Sequence, residues 1–119
     1  MSKSENIIEQ KSFNFALEII ELYKKLLENK EYVISKQLLK SGTSIGANVK
    51  EAQAAQSKKD FLSKMSIASK EAREVEYWLL LLEKSKLVNL NYKKNLANAK
   101  EIIKIITAIV KTTSMKIKI

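Results

Sequence analysis

The chain has no cysteine, no histidine and no proline, and only two glycines in 119 residues. Without cysteine there is no disulfide framework, no thiolate nucleophile and no cysteine-ligated zinc. Without histidine the commonest general base and the commonest transition-metal ligand are both missing. A Ser-His-Asp or Cys-His arrangement is excluded, and a carboxylate pair is the enzymatic option left. Glu71 with Glu74 is such a pair, but Lys70 and Arg73 surround it, the setting of ion-paired or solvated helix charges. A di-metal bundle site wants two Glu-x-x-His units, which this chain cannot supply. The expectation is a non-enzyme with no catalytic residue, cofactor or metal.

The shortage of proline and glycine also bears on fold. A sheet protein with many tight turns needs both, whereas helices do without them. Long hydrophobic runs are missing as well: the longest, "YWLLLL" (Tyr77 to Leu82), falls far short of the roughly 18 residues that span a bilayer. The opening "MSKSENIIEQKSFNF" is polar and carries no secretory pattern. A cytoplasmic protein without a membrane partner is expected. With 45% hydrophobic and 29% charged residues, 119 positions suffice for one domain, residues 1–119, that buries a single core.

What is present is helical periodicity. The pattern predicts four helices, at about 5–29, 32–55, 58–85 and 91–113, in an all-α antiparallel up-and-down four-helix bundle. The first carries two apolar rows, Phe13, Leu17, Ile20 and Leu27 beside Ala16, Ile19, Tyr23 and Leu26. The second has Leu38, Gly42, Ile45, Val49 and Ala52 in one stripe. Ser57, with Asp60 three residues on, opens the third as an N-cap, and Phe61, Met65, Ala68, Ala72, Val75, Leu79 and Leu82 run along it. The fourth places Leu96, Ala99, Ile103, Ile106 and Val110 on a stripe. Ile102, Ile105, Ala108 and Ile109 widen its apolar arc to roughly 240° at about 100° per residue. A helix burying one face needs nearer 100°. Trp78, Leu81, Ile102, Ile105 and Ile109 are therefore expected at an interface with a second copy; the alternative is cover by the 87–92 connection and the tail. The tail "MKIKI" alternates like a strand or frays.

Both glycines fall in "SGTSIGAN". A phosphate loop needs G-x-x-x-x-G-K-[ST] after a strand, and here the glycines are four apart with no lysine after Gly46. At i and i+4 on one helix, Gly42 and Gly46 instead let a neighbouring helix approach closely. Beside them Ser41, Ser44, Asn48 and Glu51 form a polar row, which is a solvated face, a hydrogen-bonded seam or a contact surface.

The stretch "QLLKSGTSIGANVKEA" followed by "SKKDFLSKMSIASKEAREVEYWLLLL" resembles the bacterial four-helix bundle family of the 23S rRNA intervening-sequence proteins. Gln37, Leu38, Ser41, Ser44, Ile45, Asn48, Val49, Glu51, Ser57, Asp60 and Phe61 carry the likeness. It implies a bundle that assembles as a ring-shaped homopentamer with a basic surface. It extends to a related branch, the accessory proteins of diversity-generating retroelements, which associate with reverse transcriptase and nucleic acid.

Charge adds an independent pointer. Net charge is +9, and residues 61–119 carry twelve Lys and Arg against five acids. An anionic partner, RNA or DNA, is the expectation. Lys93, Lys100, Lys104 and Lys111 are spaced 7, 4 and 7 apart, on one side of the fourth helix. Such a row could track a phosphate backbone, or simply keep the helix soluble. Tyr92 stands beside Lys93 and Lys94 in sequence. The reading is a homo-oligomeric bundle that binds structured RNA or DNA through basic surfaces. Its alternative is an adaptor whose ring docks a protein.

Overall fold

The computed structural model describes residues 2–118. Four helices account for most of them: α1 (Lys3–Glu28), α2 (Ile34–Gln53), α3 (Lys58–Ser85) and α4 (Lys93–Lys118). Each helix packs on its neighbours in sequence and α4 returns to α1, while the backbones of the diagonal pairs stay further apart. The result is a square up-and-down bundle about 50 Å long and 22 Å across. Its thinnest seam lies between α1 and α4.

Local chemistry sets the helix ends. The Ser2 hydroxyl accepts from the Glu5 N–H (3.2 Å) and the Glu5 carboxylate accepts from the Ser2 N–H (3.1 Å), a capping box that starts α1 two residues before the expected Glu5. The Ser2 side chain first, and its backbone N–H after it, hold the Glu5 carboxyl below its ordinary pKa against the effect of burial. Ser57 caps α3 as expected, accepting from the Asp60 N–H at 3.0 Å. α2 lacks a Ser or Thr cap. Instead the buried Glu31 carboxylate accepts from the N–H groups of Val33, Ile34 and Ser35 at 2.8, 3.1 and 2.6 Å. An acid in place of a hydroxyl satisfies three orphan donors and the positive end of the helix together.

With both glycines inside α2, the turns place lysines in the left-handed region, Lys30 at φ 61° and Lys86 at φ 56°. At Lys30 the bonds Lys30 N–H to Leu27 O and Glu31 N–H to Leu26 O, both 2.9 Å, complete a Schellman turn. The 86–92 connection is closed by Tyr92, buried, whose hydroxyl donates to Val88 O at 2.7 Å.

The core stripes of α2 and α3 are the expected ones, from Leu38 to Ala52 and from Met65 to Leu82. Two others differ. α1 buries Ile8, Ser12, Phe15, Ile19, Leu22 and Leu26, leaving Phe13 63% and Leu17 50% exposed, so their row faces outward. α4 buries Leu96, Ala99, Ile102, Ile106 and Ile109, with Ile103 and Val110 only partly covered. The expected interface role of Ile102 and Ile109 is thereby corrected. Both lie inside the bundle, at 2% and 8% exposure. A closed square offers each helix two neighbours, so a buried arc far wider than a single stripe is satisfied within one chain. The tail also differs from a strand: α4 continues to Lys118.

Candidate nucleic-acid interface

Lys93, Lys100, Lys104 and Lys111 are all exposed on α4, and none is ion-paired among the described residues. At 1.5 Å rise per residue the row is about 27 Å long. Ala97 and Thr107, beside it, are exposed and short. Glu101, the one acid of α4, is turned away from the row and held by Lys11 of α1 at 3.0 Å. One flank of α4 is thus neutralised against α1, and the other is left cationic.

α3 extends that cationic flank. The Arg73 guanidinium donates to the Thr107 hydroxyl at 3.3 Å, which fixes the register of α3 against α4. Lys70, three residues before Arg73, and Lys84, eleven after it, are exposed on the same outer side. Because the helices run antiparallel, Lys84 comes level with about Leu96, between Lys93 and Lys100. Arg73 falls near Lys104 and Lys70 near Lys111. A single lysine line in sequence becomes a two-helix basic face. Tyr92, in contrast, is sealed in the core and offers no stacking surface.

The α1–α4 seam closes with a polar clamp that periodicity could not disclose. The two oxygens of Glu18 each accept one amide hydrogen bond, from Asn95 and from Asn98, both at 2.7 Å. With Lys11–Glu101 it occupies the side of α4 away from the lysines.

The model of the 23S rRNA-intervening sequence protein family matches residues 4–108. The chain belongs to that family. A solved structure, the crystal structure at 1.70 Å of a protein with unknown function from the S23 ribosomal protein family of Bacteroides thetaiotaomicron VPI-5482, is 47% identical. The similarity covers 91% of this chain and 98% of that one, with a TM-score of 0.84. A comparison with curated proteins finds no match.

Within this member of the intervening-sequence family, the motif residues have structural work. Gly42 lies under Ile19, and Gly46 under the Ser12 backbone of α1. The hydroxyls of Ser41 and Ser44 donate to the Gln37 and Lys40 carbonyls at 2.9 and 2.7 Å, and the Asn48 amide donates to Ser44 O at 2.8 Å. These side chains turn back onto their own helix. Glu51 is 3.7 Å from Lys64 of α3, and Gln37 is exposed. Trp78, Leu81 and Ile105 are half-buried, and the buried Trp78 indole N–H has no acceptor among the described residues. On α3, burial first and the Glu74 charge second push the Glu71 carboxyl above its ordinary pKa, against Lys70 and Lys40. No helix among the described residues is long and apolar enough to cross a membrane.

Proposed function

We propose that this protein is a non-enzymatic, self-associating bundle that binds structured RNA or DNA through the α3–α4 face. The observation that carries the reading is the run of four exposed, unpaired lysines on α4, joined by Lys70, Arg73 and Lys84. The four α4 lysines are exposed and take part in no ion pair among the described residues, so they are free to displace counterions from a phosphate backbone. Membership of a family named for an insert in 23S rRNA favours the same class of ligand.

Self-association rests on a different surface from the one α4 suggests in sequence. Phe13, 63% exposed on α1, lines a groove of about 660 Å³ with Thr43, Gly46 and Ala47 of α2, and Leu17, 50% exposed, lies one turn further along α1. A second copy covering that face leaves the basic face free. Repetition around a ring then multiplies a weak phosphate contact.

Fluorescence anisotropy of a labelled RNA hairpin and a DNA duplex across a salt series tests the binding. The comparison protein has Lys93, Lys100, Lys104 and Lys111 changed to Gln. Wild type should bind at physiological salt, and each phosphate contact removed should lower the salt slope by about one. No binding by wild type would leave the adaptor reading. Light scattering that gives a monomer at micromolar concentration would remove the self-association.

A further inference from the structure

One exposed aromatic on the basic face has no structural task. Tyr77 is 56% exposed on the outer side of α3. Arg73 lies four residues before it, Lys70 seven before and Lys84 seven after, spacings that put all three on its side of the helix. The nearest acids along α3, Glu74 and Glu76, point about 60° and 100° away from it at 100° per residue. Tyr77 is held from one side: its ring meets the half-buried Trp78 edge-on, centroids 5.1 Å apart and planes at 70°. An anchored, solvent-facing ring among cations costs the chain exposed apolar surface and gives no core contact in return.

We infer that Tyr77 is a stacking platform for an unpaired base, so that the preferred ligand is a nucleic acid with looped-out or single-stranded bases beside its backbone. This rests on the proposed phosphate-binding role of the α3–α4 face. A duplex hides the faces of its bases, whereas a loop presents them to an aromatic ring. Base-on-aromatic stacking tolerates any sequence, because every base has such a face. The lysines and Arg73 supply affinity for the backbone, and Tyr77 supplies the preference for unpaired over paired strands. In sequence Tyr77 reads as part of an apolar run; only the packing of α3 turns it outward beside Arg73.

The test compares an RNA hairpin with a large loop against a blunt RNA duplex of equal charge, by anisotropy, for wild type, Tyr77→Leu and Tyr77→Phe. Wild type should favour the hairpin by about tenfold. Tyr77→Leu should lose that preference with its salt slope unchanged, and Tyr77→Phe should keep it. Circular dichroism confirms that the exposed substitutions leave the fold intact. Equal binding of hairpin and duplex by wild type, or a preference unaltered in Tyr77→Leu, overturns the inference while leaving phosphate binding standing. Absence of binding to either probe overturns both.

Discussion

A methyl group on Gly42 would sit 2.8 Å from Cγ2 of Ile19, with Cγ1 and Cβ of the same residue at 3.0 and 3.1 Å. No rotamer of Ile19 relieves this, because its Cβ is itself in the way. Alanine gains roughly 1 kcal/mol of helix propensity over glycine, and overpacking costs about 1–3 kcal/mol. Gly42→Ala should therefore destabilise by up to about 2 kcal/mol, read from urea unfolding at constant slope. A methyl group on Gly46 would meet Ser12 less tightly, at 3.3 Å from its carbonyl oxygen, 3.4 Å from its carbonyl carbon and 3.6 Å from Oγ, so Gly46→Ala should stay within about 1 kcal/mol of wild type. In an Ile19→Ala background the Gly42 penalty should shrink, giving a coupling of about 1 kcal/mol. Additive behaviour would mean that α1 and α2 simply move apart.

The same contact shows why some of the fold could be read in sequence and some could not. α3 is legible because its buried positions are all apolar and its outer positions mostly polar. The true core row of α1 contains Ser12, whose small, polar side chain fits beneath Gly46. That break hides the row, and the unbroken apolar row through Phe13 and Leu17 draws attention instead. α4 is apolar on so many sides that its phase slips, and Ile102 and Ile109 pass for outer residues. The lysine row survives such a slip, since its residues lie opposite the core under either phase. Arg73 and Tyr77 belong to the same face yet sit on another helix. Only the antiparallel register fixed by Arg73 and Thr107 brings them there, and no spacing within a single helix encodes it.

Lys86 adopts φ 56° at the C-cap of α3, where a side chain is strained by roughly 1 kcal/mol and glycine is not. Lys86→Gly should raise stability by about 0.5–1 kcal/mol despite glycine's greater freedom in the unfolded chain. Thermal unfolding checks it, with a shift of several degrees expected for a domain this size. A lower midpoint would show that the lysine side chain makes a contribution greater than its backbone strain.

Glu31 lies two residues before Val33, the N-cap of α2, and its carboxylate takes three backbone N–H groups at the start of the helix. Glu31→Ala takes the acceptor from those donors, of which the Ser35 N–H is buried, and should cost about 1–2 kcal/mol. Glu31→Gln keeps one acceptor but loses the charge, and should fall between the alanine variant and wild type. Chemical denaturation of the three proteins gives the order. A glutamine variant as unstable as alanine would assign the effect to charge alone.

Tyr92 ionises reluctantly, because burial raises its pKa above 10.0 and the Glu31 charge adds to the effect. The folded protein therefore holds the phenolic proton to higher pH than the unfolded chain does. The associated stability is complete below pH 10 and is lost as pH rises through the folded value. Tyr92→Phe, which also gives up the bond to Val88, should be less stable at pH 8 but should lose stability more slowly above pH 10. Urea midpoints from pH 8 to 11 test this by the slope of the difference. Parallel curves would show that Tyr92 escapes titration or that the lysines dominate the alkaline limb.

Glu71 carries the opposite lesson about charge. Its pKa is raised from the ordinary 4.5 chiefly by burial and next by Glu74, with Lys70 and Lys40 pulling the other way. The ionised form is the one the fold disfavours. Stability linked to this group is thus fully present below the unfolded pKa and is lost as pH rises through the folded pKa. Glu71→Gln mimics the protonated form at every pH. It should leave the protein slightly more stable than wild type at pH 7, with the gain fading by pH 4, as melting temperatures across that range would record. A variant less stable than wild type at pH 7 would mean that the attraction of Lys40 and Lys70 outweighs burial. The Glu71–Glu74 pair would then be held by its cations, the arrangement of an ordinary solvated helix face.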